Sequence, residues 1–367
     1  MARAGQRIVF LFNLIQDVNI HRGLAYLAAR ECEAEIHFLV SAGFAKRDSR
    51  QSWRPLLEGI AADLGATIQD YATGADAAAL LAGAGGIVIA ASESDLEAHW
   101  ETHDVLVAAP ASYVTITLQH GFECVGFRQS REHVIHHGRD IGFGADFVAG
   151  WFGPERLTSM IASQRAKLVA AGPPTLLQAP PLEPDLADRG GLVCENMHSV
   201  RLTASGDHRS GFMAIFEDFC AAQGASGRKV TLRPHPGGQY VLKNKVELAP
   251  NVELENRPMF EVDLTRFDYG ISAPSTIVID MVLAGIPVGV WVDPRGIMDA
   301  SNYEGLTMIS SLEDWLGFER DVRLRRDMIL ERQERFLEAS GLIRDPATIY
   351  ANYARLLCGL LDRREAA

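Results

Sequence analysis

The most constraining stretch of this 367-residue chain spans residues 229–292, where two short strand-like runs are each cut off by proline. The run 229–233 (KVTLR) stops at Pro234-His235-Pro236-Gly237-Gly238, and the run 267–272 (FDYGIS) stops at Ala273-Pro274-Ser275-Thr276. Proline has no N–H to give a sheet ladder, so both loops must lie just beyond strand ends. The apolar segment 277–284 predicts a helix closed by Gly285 and Pro287, and 288–292 predicts the next strand. In an open parallel sheet, ligands bind outside the carboxyl ends of the strands. One loop offers an imidazole and the other offers hydroxyls at a helix start, a combination suited to cradling phosphate.

The same alternation extends in both directions. Residues 7–14 (RIVFLFNL) are too continuously apolar to be half exposed and predict a buried strand. A polar loop is expected at 16–21, helices at 22–34, 53–64 and 75–82, and strands at 35–40, 66–71 and 86–90. Further strands are expected at 104–109, 113–118 and 144–149, and a helix at 154–171. Such alternation builds stacked βαβ units around a parallel sheet. Residues 171–190 contain Pro173, Pro174, Pro180, Pro181 and Pro184 and predict a linker. The pattern then resumes with a strand at 192–194, a polar loop at 195–209 and a helix at 211–222. After the two proline-stopped strands and a helix near 258–264, terminal helices are expected at 314–339 and 346–363.

A chain of this length exceeds one ordinary core. The expected division is a Rossmann-like domain at 1–172, a second at 173–345, and a helix at 346–367 that packs back on the first. A net charge of −12 argues against an extended nucleic-acid surface. No apolar run reaches the roughly 18 residues that a spanning helix needs. The first apolar run reads as a strand without a small-residue cleavage site, so a cytoplasmic location is expected. Cys32, Cys124, Cys194, Cys220 and Cys358 form no CxxC and show no regular spacing, and free thiols are expected. Glycines at 83–86 and 142–144 do not fit GxGxxG after a first strand, and neither GxxxxGK[ST] nor GxSxG occurs, which disfavours a dinucleotide dehydrogenase and a P-loop enzyme. His133, His136 and His137 cluster, but neighbouring rings diverge and no cysteine pair joins them, so no metal site is expected.

The candidate residues follow from position. His235 lies between prolines that restrict its backbone, and Arg233 adds charge to the same loop. Ser275 and Thr276 sit where a helix begins, with Ser272 just before; a cap hydroxyl serves the helix, and can also serve an anion. The loop 195–209 is dense in groups that need partners, among them Glu195, His198, Arg201, Asp207, His208 and Arg209. It reads either as a solvated surface loop or as a source of a carboxylate for general-base or nucleophilic work. Gln119-His120-Gly121 ends a first-domain strand, and Gly121 permits close approach to the backbone.

QHG at 119–121, RPHP at 233–236 and S-x-P-S-T at 272–276, in that order, resemble the GT-B glycosyltransferases of bacterial surface polysaccharide synthesis. The nearest groups are the capsule Kdo transferases, the bacterial CMP-sugar sialyltransferases and the CDP-glycerol transferases of teichoic acid synthesis. The resemblance implies two doubly wound Rossmann-like domains facing across a cleft, with C-terminal bracing helices. It implies that His235, with Arg233, Pro236, Ser272, Ser275 and Thr276, holds the phosphate of a cytidine nucleotide. Glu195 matches the acidic residue that follows the first strand of this domain in the Kdo enzymes, although Asn196 stands where they have a second acid. Asp207, in the same loop, is the substitute carboxylate. His120, with Gln119 and Gly121, matches a histidine proposed as base on the acceptor side.

The resulting expectation is a metal-independent transferase without a cofactor, moving Kdo or another ulosonic acid from a CMP-linked nucleotide sugar to a glycan or lipid-linked glycan. Nucleic acid is not an expected partner, and a lipid-linked acceptor would bring peripheral association with the inner membrane face. The rivals are a UDP-sugar 2-epimerase, which needs no acceptor, and a non-catalytic polysaccharide assembly protein, which binds no nucleotide.

Overall fold

The computed structural model describes residues 6–178, 190–204 and 206–365. The chain forms two compact units, each built on one parallel sheet. The first comprises 1–128, 139–179 and 342–367; the second comprises 129–138 and 180–341. The helix Arg131–His137 therefore groups with the second unit.

The first unit's strands are β1 (Gln6–Phe12), β2 (Glu35–Ser41), β3 (Thr67–Tyr71), β4 (Gly85–Ala90), β5 (Tyr113–Leu118), β6 (Phe147–Gly150) and β7 (Leu168–Ala170). They lie in the order β3-β2-β1-β4-β5-β6-β7, all parallel. The order reverses between β1 and β4. Ile8 to Phe12 are buried because β1 is central and covered on both faces. The helix Pro346–Glu365 belongs to this unit and buries Ile349, Tyr353, Leu357 and Leu361. Tyr353 Oη donates to the Gly172 carbonyl at 2.9 Å, and Gln6 Nε2 donates to the Leu361 carbonyl at 3.4 Å.

The second unit's strands are β8 (Gly191–Cys194), β9 (Val230–Arg233), β10 (Val252–Leu254), β11 (Tyr269–Ser272), β12 (Val288–Trp291) and β13 (Thr307–Ile309). Their order is β10-β9-β8-β11-β12-β13, again parallel, with the reversal between β8 and β11. The helices Arg209–Ala225 and Leu312–Ser340 cover one face through Phe212, Phe216, Phe219, Trp315 and Phe318. Phe212 meets Trp291 edge-on at 5.2 Å and Trp315 at 5.6 Å between ring centroids. Gly341, at φ 71°, ends the long helix in the left-handed region that glycine adopts without a Cβ penalty.

Several local expectations need correction. Residues 104–109 fall largely in the helix Trp100–Ala108, where an apolar run too short to show its period reads equally well as a strand. The expected polar loop at 16–21 starts the helix Asp17–Glu31, because Asp17 turns back to accept from the Asn13 and Leu14 amides at 2.8 and 2.7 Å. The expected helix at 154–171 breaks into a turn at Pro154–Arg156, a short helix at Ala162–Arg165 and the edge strand β7. Residues 258–264 give only the 3-10 turns Met259–Glu261 and Leu264–Arg266. The described part of the proline-rich stretch is packed rather than free: Pro174–Leu177 is a 3-10 turn, and Gln178 donates to the Asn19 carbonyl at 2.8 Å. Residues 179–189 of that stretch lie outside the described residues.

Candidate functional site

In the second unit the loops after β9, β8 and β11 stand side by side at the carboxyl edge, flanking the strand-order reversal. Two strand spacings, about 10 Å, separate the origins of the β9 and β11 loops. That span suits side chains converging on one phosphate-sized group.

His235 is held by its own loop. Its Nδ1 accepts the Gly237 and Gly238 amides at 3.1 and 3.3 Å. An accepting Nδ1 carries no hydrogen, so in the neutral ring Nε2 carries it and is the donor. Burial, helped by His198 and Arg233, holds the His235 pKa well below the ordinary histidine range. The ring lies 3.7 Å from that of His198, centroid to centroid, with planes tilted by 33°. Burial, helped by Lys243, lowers the His198 pKa to about 4, an effect that its exposed edge tempers. Both rings are therefore neutral near pH 7, and they come from adjacent loops. Gly238 makes that approach possible, since a Cβ there would come within 3.0 Å of the His198 Cβ. Exposed Lys243 donates to the Gly237 carbonyl at 3.3 Å and leaves positive charge beside the loop.

Glu195 is buried, and both its oxygens are engaged. Oε1 accepts the Tyr240 amide at 2.7 Å and Oε2 the Val241 amide at 3.0 Å. It thereby ties the β8 loop to the turn that follows His235. Burial raises its pKa despite these two bonds. Asp207 is solvent-exposed and paired with Arg209 at 2.9 Å, which lowers its pKa.

On the other flank, Ser275 precedes the helix Thr276–Leu283 in extended conformation, and its side chain makes no cap hydrogen bond. Ser275 and Thr276 are both half-buried at the helix start. Ser272 is buried, and its hydroxyl donates to the Ala273 carbonyl at 2.8 Å. Arg233 is buried and donates to the Arg257 carbonyl at 2.9 Å, so it braces the loop after β10. The geometry thus brings His235, Pro236, Ser275 and Thr276 to one edge, and gives Ser272 and Arg233 internal partners. Sequence reasoning counted His198 among the loop's groups without pairing it with His235, and the signal was its place in the loop after β8, at the reversal point. Asn196 and Arg201 also act there: both donate to the Pro274 carbonyl, at 3.1 and 3.3 Å, joining the β8 and β11 loops. Arg201 is buried against Glu132 of the helix Arg131–His137, with Nε 3.8 Å from Oε2.

Gln119 and His120 belong to the first unit. Gln119 is buried, donating to the Gly121 carbonyl at 2.7 Å and accepting the Trp151 amide at 2.9 Å. His120 follows β5 with its pKa lowered by burial to about 4. Its ring meets that of His99 edge-on at 5.8 Å, and His99 in turn bonds Ser94 at 2.7 Å. His133, His136 and His137 share one short helix, and no group of three or more His, Cys, Asp or Glu among the described residues is arranged to hold a metal.

No family model matches this sequence, and no curated protein matches it. Solved structures do match across nearly the whole chain. A putative UDP-N-acetylglucosamine 2-epimerase from Listeria monocytogenes aligns at 11% identity over 100% of this chain and 98% of its own, with a TM-score of 0.64. The wall teichoic acid polymerase TagF, solved with CDPG, aligns at 9% identity over 99% and 90%, with a TM-score of 0.59. The glycotransferase of kitacinnamycin aligns at 13% identity over 99% and 100%, with a TM-score of 0.56. At these identities the likeness concerns the fold, which is GT-B: two Rossmann-like parallel-sheet domains with C-terminal helices.

Proposed function

We propose that the chain is a glycosyltransferase whose second unit binds a nucleotide-activated sugar, CMP-linked as the sequence motifs suggest, through its phosphate. One observation carries the reading: His235 is locked by two backbone amides into a neutral tautomer with an Nε2–H donor, on the same edge as the uncommitted Ser275 side chain at a helix start. A helix N-terminus and an N–H donor both favour an anion, and the leaving phosphate gains charge as the glycosidic bond breaks. The reading calls for no metal ion. Glu195 is assigned a positioning role, because its two oxygens already hold the turn beside His235. The acceptor is assigned to the first unit around His120, whose ring burial keeps neutral. Kdo or another ulosonic acid is the sugar the motif resemblance favours, and a glycan or lipid-linked glycan the acceptor.

The test is a binding panel of CMP, CDP, UDP and GDP read by thermal shift and calorimetry, followed by turnover assays with the matching sugar nucleotide. Saturation by a cytidine nucleotide and turnover that requires an acceptor are the expected results. Turnover of a UDP-sugar alone would instead favour a 2-epimerase, the activity named for one structural neighbour. Absence of nucleotide binding would remove both enzymes and leave an assembly protein.

A further inference from the structure

In the first unit, Cys32 follows the helix Asp17–Glu31 and Cys358 lies on the helix Pro346–Glu365. Their sulfurs are 2.7 Å apart although the residues are 326 positions apart in sequence. A disulfide needs about 2.05 Å, so closure requires a movement of about 0.7 Å. Besides the Cys358 thiol's own contact with the Glu31 carbonyl at 3.5 Å, the approach is set by contacts that do not involve either thiol. Tyr350 bonds Glu31 on the outer side, Tyr353 bonds the Gly172 carbonyl, and Gln6 bonds the Leu361 carbonyl beyond. Ile349, Tyr353 and Leu357 are fully buried, so the terminal helix is held in a single rotational setting. Cys32 is buried and Cys358 half-exposed, which leaves one sulfur open to a reagent and the second waiting beneath it. The other three cysteines are buried, and burial raises the pKa of Cys124, Cys194 and Cys220 to about 12, which suppresses their thiolates.

We propose that Cys32 and Cys358 are a thiol-modification site, a dithiol that closes to an intramolecular disulfide on exposure to a small-molecule disulfide such as oxidised glutathione. The Cys358 thiolate attacks one glutathione sulfur, forming a mixed disulfide and releasing one glutathione thiolate. The Cys32 thiolate then attacks the Cys358 sulfur and expels the second. Two protein thiols lose two electrons and two protons, and one glutathione disulfide gains them as two glutathione thiols. The product covalently joins the last helix to the first, which no other described feature of the chain does.

The test uses the full chain, reduced and then titrated with oxidised against reduced glutathione. Peptide mapping without reductant is expected to show one cross-link, between the peptides carrying residues 32 and 358, with loss of two hydrogens from the intact mass. Hydrogen exchange should slow at least about tenfold across residues 349–361 in the oxidised form. Cys358→Ser should abolish the cross-link; because the wild-type map stands by itself, a poorly folding variant does not decide the matter. A stable glutathione adduct on Cys358 without closure, thiols that stay reduced in excess oxidised glutathione, or cross-links that involve other cysteines would each overturn the proposal.

Discussion

The role of His235 can be dissected with two isosteric substitutions. The Oδ1 of asparagine sits near the place of imidazole Nδ1, so His235→Asn keeps an acceptor for the Gly237 and Gly238 amides and removes the Nε2–H donor. A hydrogen bond to a charged phosphate contributes about 1.5–3 kcal/mol, so nucleotide affinity should fall by about ten- to a hundredfold while thermal stability hardly moves. His235→Gln reverses the trade. It reaches toward the Nε2 position but leaves the two amides without their acceptor, so it should cost stability and loosen the turn. Titration calorimetry with CMP on both variants, beside their melting curves, measures the contrast. The pH profile adds an independent check, because burial holds His235 neutral near pH 7. Its contribution to affinity should therefore be flat between pH 7 and 8, above the phosphate's own second ionisation near pH 6. An affinity that drops across that window would mean an imidazolium carries the contact. Unchanged CMP affinity in a folded His235→Asn protein would refute the whole assignment.

Glu132→Gln should destabilise the second unit by about 3 kcal/mol, since it removes the buried carboxylate charge beside buried Arg201; urea unfolding with a constant slope reads the loss. Glu195→Ala should cost about 2 kcal/mol locally, and the Tyr240 and Val241 amides should exchange about thirtyfold faster while the global fold persists. Asp17 gives a pH signature: burial raises its pKa to about 6 from 3.8, so the folded state binds its proton more tightly than the unfolded chain. Its contribution is fully present below about pH 4 and is lost as pH rises to about 6, a swing of about 3 kcal/mol. Asp17→Asn should flatten that slope in denaturant titrations at pH 4 to 7, and an unaltered slope would point to other groups.

The parallel sheets were legible because buried strands such as β1 and β12 are short apolar runs between turn residues. The loops at 234–238 and 273–276 were legible for the same reason that they are loops, since proline must interrupt the ladder. Side-chain direction was not. Arg233 and His235 are two residues apart in sequence, yet one braces a neighbouring loop from inside and the other is set by its own turn. Glu195 read as a free carboxylate because the amides that occupy it, on Tyr240 and Val241, come from 45 and 46 positions away. The pairing of Arg201 with Glu132 was hidden likewise, because it joins the short helix Arg201–Ala204 to another far back along the chain. Composition announces such groups, but only tertiary placement says what they touch.

The place of the last helix also sets a timetable for synthesis. The strands of the first sheet are complete by Ala170, yet Tyr353, which seats the covering helix on the Gly172 carbonyl, is made 181 residues after Gly172. At about 5–20 residues per second, translation leaves that sheet waiting roughly 10–40 s for its cover. During that interval the surface that will receive Ile349, Tyr353 and Leu357 is bare and apolar, while the whole second sheet is being made. The nascent chain is therefore most vulnerable in its older half, and chaperone occupancy on ribosome-bound intermediates should peak there and fall only as the final helix emerges.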